Sequence, residues 1–538
     1  MNVFKKIAHS QSIILVAIIL ISLLALWPFF KQGYFVTHDG EWMVIRFSAF
    51  HQTLKAGQFP VRFVDRLNNN YGYPVLNFLY PLPFYLSEIP KTIFNFATSI
   101  KIVFVVSTIA STLLMFVALK EKFSKEASIA GSIIYLYTPY RFVDLYVRGS
   151  IGENLAFAFL PLVLLSIFKI EKKILIFLPV LSISVVCLIL SHNVIAAIFS
   201  PIFILLLAIS LKDKERFHAL LAFFLGILIS AFFSVPALFD LHYVMLSKIT
   251  IADTASHLVP LSKLIYSKWA FGPVPKENDG FSAQIGIMPI AVFMFATARF
   301  IYTKRKSHFI MFILFIFLLS IFLISSTSYF IWKTLPYVSV IQFPWRLLSV
   351  IVFATAILTA YIIDESKKKF IFIIVIFFAV SSTIFYTKPQ QYVNREDSFY
   401  STNEATTTVK DEYLPLWVIK KPTTRADTKF ESKDILINDE TINPAKYKAT
   451  IEALSNTTLT INTIYFPGFF ATVDDIPVAI AYNNDHGLMQ IPLIKGKHQV
   501  IINYSETAVH IVSELISIAA LLLTGFIFIY LWRKQNFL

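Results

Sequence analysis

The chain holds a single cysteine, Cys187, so it can form no internal disulfide and no cysteine-based metal site. Glycine is scarce, 15 of 538 residues, and no GxGxxG or GK(S/T) pattern occurs. The phosphate-cradling loops of nucleotide enzymes are therefore missing, which argues against a cytoplasmic ATPase or a nucleotide-sugar enzyme. Charge is sparse too. Asp, Glu, Lys and Arg make up 15% of the chain, against about 25% in soluble domains. No Ser-His-Asp order stands out as a hydrolase, and no repeat recurs at solenoid spacing.

Apolar residues are abundant. Hydrophobic side chains are 56% of the chain, Phe alone contributes 54, and mean hydropathy is +0.67. These values exclude disorder, collagen and coiled coil and point to a polytopic α-helical membrane protein. A bilayer crossing takes about 20 apolar residues. Twelve crossings are expected, at about 11–30, 99–119, 127–143, 153–168, 174–191, 194–211, 217–237, 284–302, 309–328, 346–363, 370–386 and 511–531. Lys5 and Lys6 give the first a signal-peptide look. Its length and the poor cleavage site Trp27-Pro28-Phe29-Phe30 make it an uncleaved anchor.

The net charge of +14 raises the question of nucleic acid. Its distribution answers it. The bases gather between apolar runs, at Lys5-Lys6, Lys120 to Lys125, Lys169 to Lys173, Lys212 to Arg216, Arg299 to Lys306, Lys367 to Lys369 and Arg533-Lys534. Insertion keeps such clusters on the cytoplasmic side. All fall on one side if there are twelve crossings, with both termini cytoplasmic. The long segments, 31–98, 139–152, 238–283, 329–345 and 387–510, then face outward. A bacterial inner (plasma) membrane suits this composition, and no nucleic-acid partner is expected.

Segment 387–510 is rich in Thr, Asn and Asp and has no long apolar run. Alternating stretches such as Tyr447-Lys448-Ala449-Thr450-Ile451 are separated by Gly and Asn/Asp turns, a pattern that predicts an extracytoplasmic antiparallel β-sandwich. The expected organisation is a transmembrane domain over 1–386, a β-domain over 387–510, and a last helix with a cytoplasmic tail over 511–538.

The first outer loop carries the densest chemistry. Thr37-His38-Asp39-Gly40-Glu41-Trp42 opens an amphipathic stretch, about 41–55, in which Trp42, Ile45, Ala49 and Leu54 alternate with Arg46, His51 and Lys55. A second aromatic, proline-punctuated stretch runs through Asn77 and Tyr80 to Tyr85. Both read as helices lying on the membrane plane. Asp39 and Glu41 stand where a membrane helix surfaces. A carboxylate there can act as a general base, or hold a divalent cation beside a lipid phosphate. Equally, Asp39 can simply cap the helix that follows.

These residues resemble a family. His38-Asp39-Gly40-Glu41, Arg46, Ala56 to Arg62, Tyr71 to Pro74, Asn77 and Tyr80 to Tyr85 are similar to bacterial membrane proteins labelled 6-pyruvoyl-tetrahydropterin synthase-related. Those proteins resemble the YfhO-like proteins and, more distantly, the GT-C superfamily of polytopic glycosyltransferases. Asp144 to Glu153, Ser191-His192-Asn193, Gln342 to Arg346, Glu412 to Pro415, Tyr465 to Asp474 and Gly496 to Val500 extend the likeness, in order, over nearly the whole chain.

The resemblance implies a GT-C-like fold and transfer of a sugar from a polyprenyl-phosphate carrier to a cell-envelope glycan acceptor, with membrane lipid as a further partner. It makes Asp39 the catalytic acid-base and Glu153 its assistant, the two holding a Mg or Mn ion if one is used. Glu41, Arg46, Arg62, Arg148, His192, Asn193 and Arg346 become candidates for gripping substrate or phosphate. Ordinary readings stand beside these roles. The arginines could pair with Asp39, Glu41, Asp144 or Glu153, and Asn193 could cap its helix. One departure stands out: four residues past Asp39 the family often has a histidine, and here there is Met43, a poor ligand for a hard cation. The alternative is a non-catalytic protein that binds or moves lipid-linked glycan, or scaffolds envelope assembly. Asp474-Asp475 and Asn483 to His486 read as hairpin turns.

Overall fold

The computed structural model describes residues 2–249, 253–277, 279–303, 306–334, 341–366 and 370–536, and the side chains among these except 2–10 and 536. Parts of the basic clusters (the side chains of Lys5 and Lys6, then Lys304, Arg305 and Lys367 to Lys369) and of the outer segments 238–283 and 329–345 lie outside the described residues.

Each of the twelve apolar segments carries a helix. Among the described residues six helices can cross a bilayer by length and composition: Gln11–Phe30, Phe96–Leu119, Ile151–Glu171, Asn193–Ser210, Pro344–Asp364 and Ala508–Gln535. Asp213–Ile229 and Ala231–Tyr243 make a seventh if the pair, bent by 63°, is one span. Phe177–Ser191, Ile287–Tyr302, His308–Ile324 and Ile371–Tyr386 are shorter apolar helices. The expected crossing at 127–143 is broken: Lys125–Leu136 ends at Tyr137, and Pro139 opens a new helical segment. Proline fits the first turn of a helix but not its interior. The helix Pro139–Val143 runs into one π-turn, Asp144–Arg148, in the segment 139–152 expected to face outward.

Ile151–Glu171 and Pro344–Asp364 are buried along most of their length, whereas Ala508–Gln535 is mostly exposed at the rim. At 21 residues, Ile151–Glu171 is about 30 Å long, a bilayer's hydrocarbon depth. Several basic residues of the clusters are paired with acids, three of them at one end of this helix. Lys169 and Lys172 pair with Glu121, Lys122 with Glu171, and Arg299 with Glu365. Glu153 sits at the other end.

The helix Gly40–Lys55 is packed rather than peripheral: Met43, Val44, Arg46, Phe47 and Phe50 are all buried. What covers it is a segment from far along the chain. Strand β1 (Tyr34–Phe35) pairs antiparallel with β2 (Tyr392–Val393), and the helix Asp397–Thr402 lies on Gly40–Lys55. Ser48 donates to the Tyr400 carbonyl at 2.6 Å, and Arg46 donates to Thr407.

The remaining strands follow from residue 430: β3 (Phe430–Glu431), β4 (Ile435–Asn443), β5 (Lys446–Ala453), β6 (Thr457–Ile464), β7 (Phe469–Val473), β8 (Ile476–Val478), β9 (Leu488–Leu493) and β10 (Gly496–Tyr504). They form two antiparallel sheets, ordered β4-β5-β10-β7-β8 and β3-β6-β9. Alternation aims Tyr447, Ala449, Ile451, Val500 and Ile502 of the first, with Leu459, Ile461, Met489 and Ile491 of the second, into one apolar cluster. Phe63 and Phe78 of the first loop join that cluster. Nearby, Lys429 Nζ lies 2.6 Å from Asp65 Oδ1, both side chains buried.

Candidate functional site

Asp39 occupies the N-cap position of Gly40–Lys55, yet its side chain makes no capping bond. Thr37 does that work, its Oγ1 accepting from the Gly40 amide at 2.9 Å. Asp39 is fixed through its backbone: its amide donates to the Arg148 carbonyl at 2.8 Å, and the His38 amide to the Val147 carbonyl at 2.9 Å. Its half-buried carboxylate is left without a hydrogen-bond partner among the described residues. The close approach depends on Gly149, held at φ +64°. A Cβ there would stand 2.2 Å from Thr37 Oγ1 and 3.2 Å from the Gly40 Cα.

Arg148 closes the π-turn, and its side chain runs the other way. Nη1 reaches Glu153 Oε2 at 2.5 Å, Asp144 Oδ1 at 2.9 Å and Tyr140 OH at 3.3 Å. Tyr140 OH donates to Glu153 Oε1 at 2.5 Å. The guanidinium lies 4.6 Å from the Trp345 ring centroid. Burial pulls Arg148 down, but Glu153, Tyr140, Asp144 and Asp39 together outweigh it and hold the guanidinium well above its usual range. Burial first, then Glu153, pushes the Asp144 carboxyl well above the carboxylate range. Asp39 and Glu153 thus meet at Arg148, one on its backbone and one on its side chain.

A second wall is aromatic. Tyr80 stacks on His192 with centroids 4.9 Å apart. Gly152 makes room for that stack, since a Cβ there would stand 2.2 Å from Tyr80. His192 is buried and is itself the cap of Asn193–Ser210, its Nδ1 accepting from the Ile195 amide at 3.2 Å. The expected cap, Asn193, instead lies exposed. Burial, then Arg346 and Arg148, push His192 well below its ordinary value, so its ring is neutral with the proton on Nε2. Burial raises the Tyr80 hydroxyl, and Asp39 raises it further. His38 donates to or accepts from nothing on this wall; its Nε2 sits 2.9 Å from the Phe271 carbonyl, and burial lowers its pKa.

Arg346 is buried. Its Nη1 donates to the Ile341 carbonyl at 3.1 Å and to Gln342 Oε1 at 2.8 Å, while Nε has no partner among the described residues. Arg141 is buried beside the Phe157 ring, 4.0 Å to the centroid, with one bond to Ser111.

The remaining candidates lie elsewhere or are committed. Arg46 is tied to Thr407 through Nε at 2.8 Å, and its Nη1 lies 3.7 Å from the sulfur of Met43. Glu41 pairs with Arg395 at 3.5 Å. His51 pairs with Glu88 at 2.8 Å. Arg62 belongs to a separate buried network, holding Glu506 at 2.8 Å and Glu514 at 3.1 Å. There Asp240 accepts from Asn77 at 2.7 Å and lies 2.9 Å from His510 Nε2. His242 is exposed. Asp474 and Asp475 do form the tight β7–β8 turn, both at positive φ.

Glu153 and Asp39 do not by themselves make a cation site. Both Glu153 oxygens are taken by Arg148 and Tyr140, and no group of three or more His, Cys, Asp or Glu suited to a metal occurs among the described residues. Tyr80, Tyr140 and Trp345 are the members of this constellation that spacing alone misses. The available signal was local: Tyr140 stands one helical turn before Asp144 and two before Arg148.

With this geometry in place, comparison with known proteins decides the family. A family model described as 6-pyruvoyl-tetrahydropterin synthase related domain, membrane protein, matches residues 76–392. The chain belongs to that family. The matched stretch takes in Tyr80, Tyr140, Arg148, Glu153, His192 and Arg346, and Asp39 lies ahead of it. Two solved structures of arabinofuranosyltransferase AftD from Mycobacteria, one of them a mutant, are similar at 13% and 12% identity with TM-scores of 0.45. Each likeness covers 71% of this chain but only 27% and 28% of AftD, so the chain spans about a quarter of that protein. No functionally curated sequence matches.

Proposed function

We propose that this membrane protein is a GT-C-type glycosyltransferase, moving a sugar from a polyprenyl-phosphate donor to an extracytoplasmic envelope glycan. The observation that carries the proposal is a carboxylate left free by its own helix, Asp39, pinned by its amide to the residue whose side chain holds Glu153. In this reading Asp39 takes the proton of the acceptor hydroxyl. The acceptor oxygen bonds to the anomeric carbon as the bond from that carbon to the phosphate oxygen breaks, and polyprenyl phosphate leaves with the electron pair. Arg148 and Arg346 face the leaving phosphate, and neutral His192 offers Nε2–H to it. Tyr140 and Asp144 fix Arg148 and Glu153 in place. Arg62 is bound by two glutamates and takes no part, and no step is assigned to a cation.

The donor enters laterally from the membrane, and the two β-sheets form a sandwich on the outer face, with both chain termini cytoplasmic. Holding donor and acceptor at one bilayer surface supplies much of the rate by positioning. The two occupied oxygens of Glu153, with Met43 where a histidine is common, favour a second reading in which the same site binds lipid-linked glycan without turning it over. Purified protein in nanodiscs, given radiolabelled polyprenyl-phosphate sugars and an envelope glycan fraction, separates the two. Label moving into glycan supports transfer, and retained but unconverted donor supports the binding protein.

A further inference from the structure

Away from the charged site, four aromatic rings from separate parts of the chain assemble on the β-region. Tyr465 and Tyr482 are stacked, 4.2 Å apart and 7° from parallel. Trp417 sits against both, at 5.9 Å and 5.3 Å, and Tyr243 packs 6.0 Å from Trp417. All four are partly exposed. The Trp417 Nε1 donates to the Tyr465 carbonyl at 3.1 Å, but the hydroxyls of Tyr243, Tyr465 and Tyr482 have no hydrogen-bond partner among the described residues.

The shelf is rigid. The Ile419 and Lys420 amides both donate to the Asp485 carbonyl, at 2.9 Å and 2.8 Å. Asn484 Oδ1 accepts from the amides of His486 and Leu488, and His486 Nδ1 lies 2.6 Å from the Lys420 carbonyl. Gly487 is required, because a Cβ there would stand 2.9 Å from the Trp417 ring.

We propose that this shelf is a glycan-binding subsite, which on the transferase reading holds the acceptor chain beyond its reacting end. A pyranose has one apolar face of C–H groups and a rim of hydroxyls. Stacked, half-exposed aromatics match the face, and phenols free to donate or accept match the rim. The surroundings are charge-balanced: Lys420 pairs with Asp485 at 3.1 Å. An anionic headgroup would call for surplus bases instead, so the chemistry favours a neutral sugar chain over the membrane surface. Ring contacts also lead back toward the charged site. Tyr243 packs on Phe466, Phe466 on Phe78, and Phe78 stacks on Tyr413 at 5.0 Å. Phe78 is two residues before Tyr80.

The test uses full-length protein in nanodiscs with four probes, maltohexaose, chitohexaose, cellohexaose and α-1,6-mannohexaose, read by saturation-transfer NMR. The subsite predicts transfer to at least one probe. Tyr465→Leu with Tyr482→Leu should weaken that probe about tenfold or more. The milder Tyr465→Phe with Tyr482→Phe, which keeps the stack, should weaken it less but measurably. Asp39→Asn should leave it unchanged. No transfer to any of the four, or binding that survives the Leu pair in a folded protein, overturns the subsite. So does binding lost with Asp39→Asn but not with the tyrosine variants. Platform-dependent binding in a protein that turns over no donor keeps the subsite and removes the transferase reading.

Discussion

The amide of Asp39 donates to the carbonyl of Arg148 at 2.8 Å, across a gap that only glycine at 149 leaves open. That bond sets where the free carboxylate stands relative to Glu153.

Gly149→Ala should therefore act on the site before it acts on the fold. A non-glycine residue at φ +64° costs about 1–3 kcal/mol, and the added methyl displaces Thr37. The expected outcome is folded protein in size-exclusion chromatography with a lower Tm and sugar transfer reduced well beyond what the Tm change explains.

Arg148 and Glu153 form a buried pair, and removing one partner strands the other's charge. Arg148→Met or Glu153→Gln should each cost about 3–5 kcal/mol, and the double variant clearly less than the two together. Thermal unfolding of the four proteins in nanodiscs gives the cycle. Additive losses would show that the two do not interact.

Lys429 and Asp65 tie the β-region to the first loop through another buried pair. Lys429→Met should leave the Asp65 carboxylate partnered by Tyr447 alone and loosen the junction. Faster limited proteolysis between residues 420 and 430 checks this, with Asp65→Asn in the same background restoring resistance.

The candidate site is legible in spacing where its members are close in the chain. Asp39 and Glu41 announce themselves beside a membrane helix, and Asp144, Arg148 and Glu153 lie within ten residues. Partners that come from far along the chain are not legible in spacing. Arg62 looked like a phosphate grip because Glu506 and Glu514, more than four hundred residues on, were invisible to spacing. The helix Gly40–Lys55 looked peripheral because its cover arrives from residues 392–408. Twelve apolar segments were readable, but which are long enough to cross was not: Thr138-Pro139 breaks one of them, and run length cannot show a 63° bend. The β-pattern was readable because alternation and turns are nearest-neighbour properties.

On the β7–β8 turn, Asp474 accepts from the Gln499 amide at 2.8 Å and lies 2.6 Å from His498 Nδ1. The amide first, then His498, hold this exposed carboxyl below the usual range. A depressed acid stabilises the fold above its unfolded pKa and loses that contribution as pH falls through its folded value. Asp474→Asn should be slightly less stable than wild type at neutral pH. The gap in Tm should close in acid, below the ordinary carboxylate range, and a constant gap would contradict the assignment.

The most direct test of the central claim compares wild type with Asp39→Asn for donor binding and sugar transfer, using one radiolabelled polyprenyl-phosphate sugar. The account predicts that donor binding persists while transfer falls by about two orders of magnitude or more, the scale of a lost general base. Transfer undiminished in Asp39→Asn would contradict it.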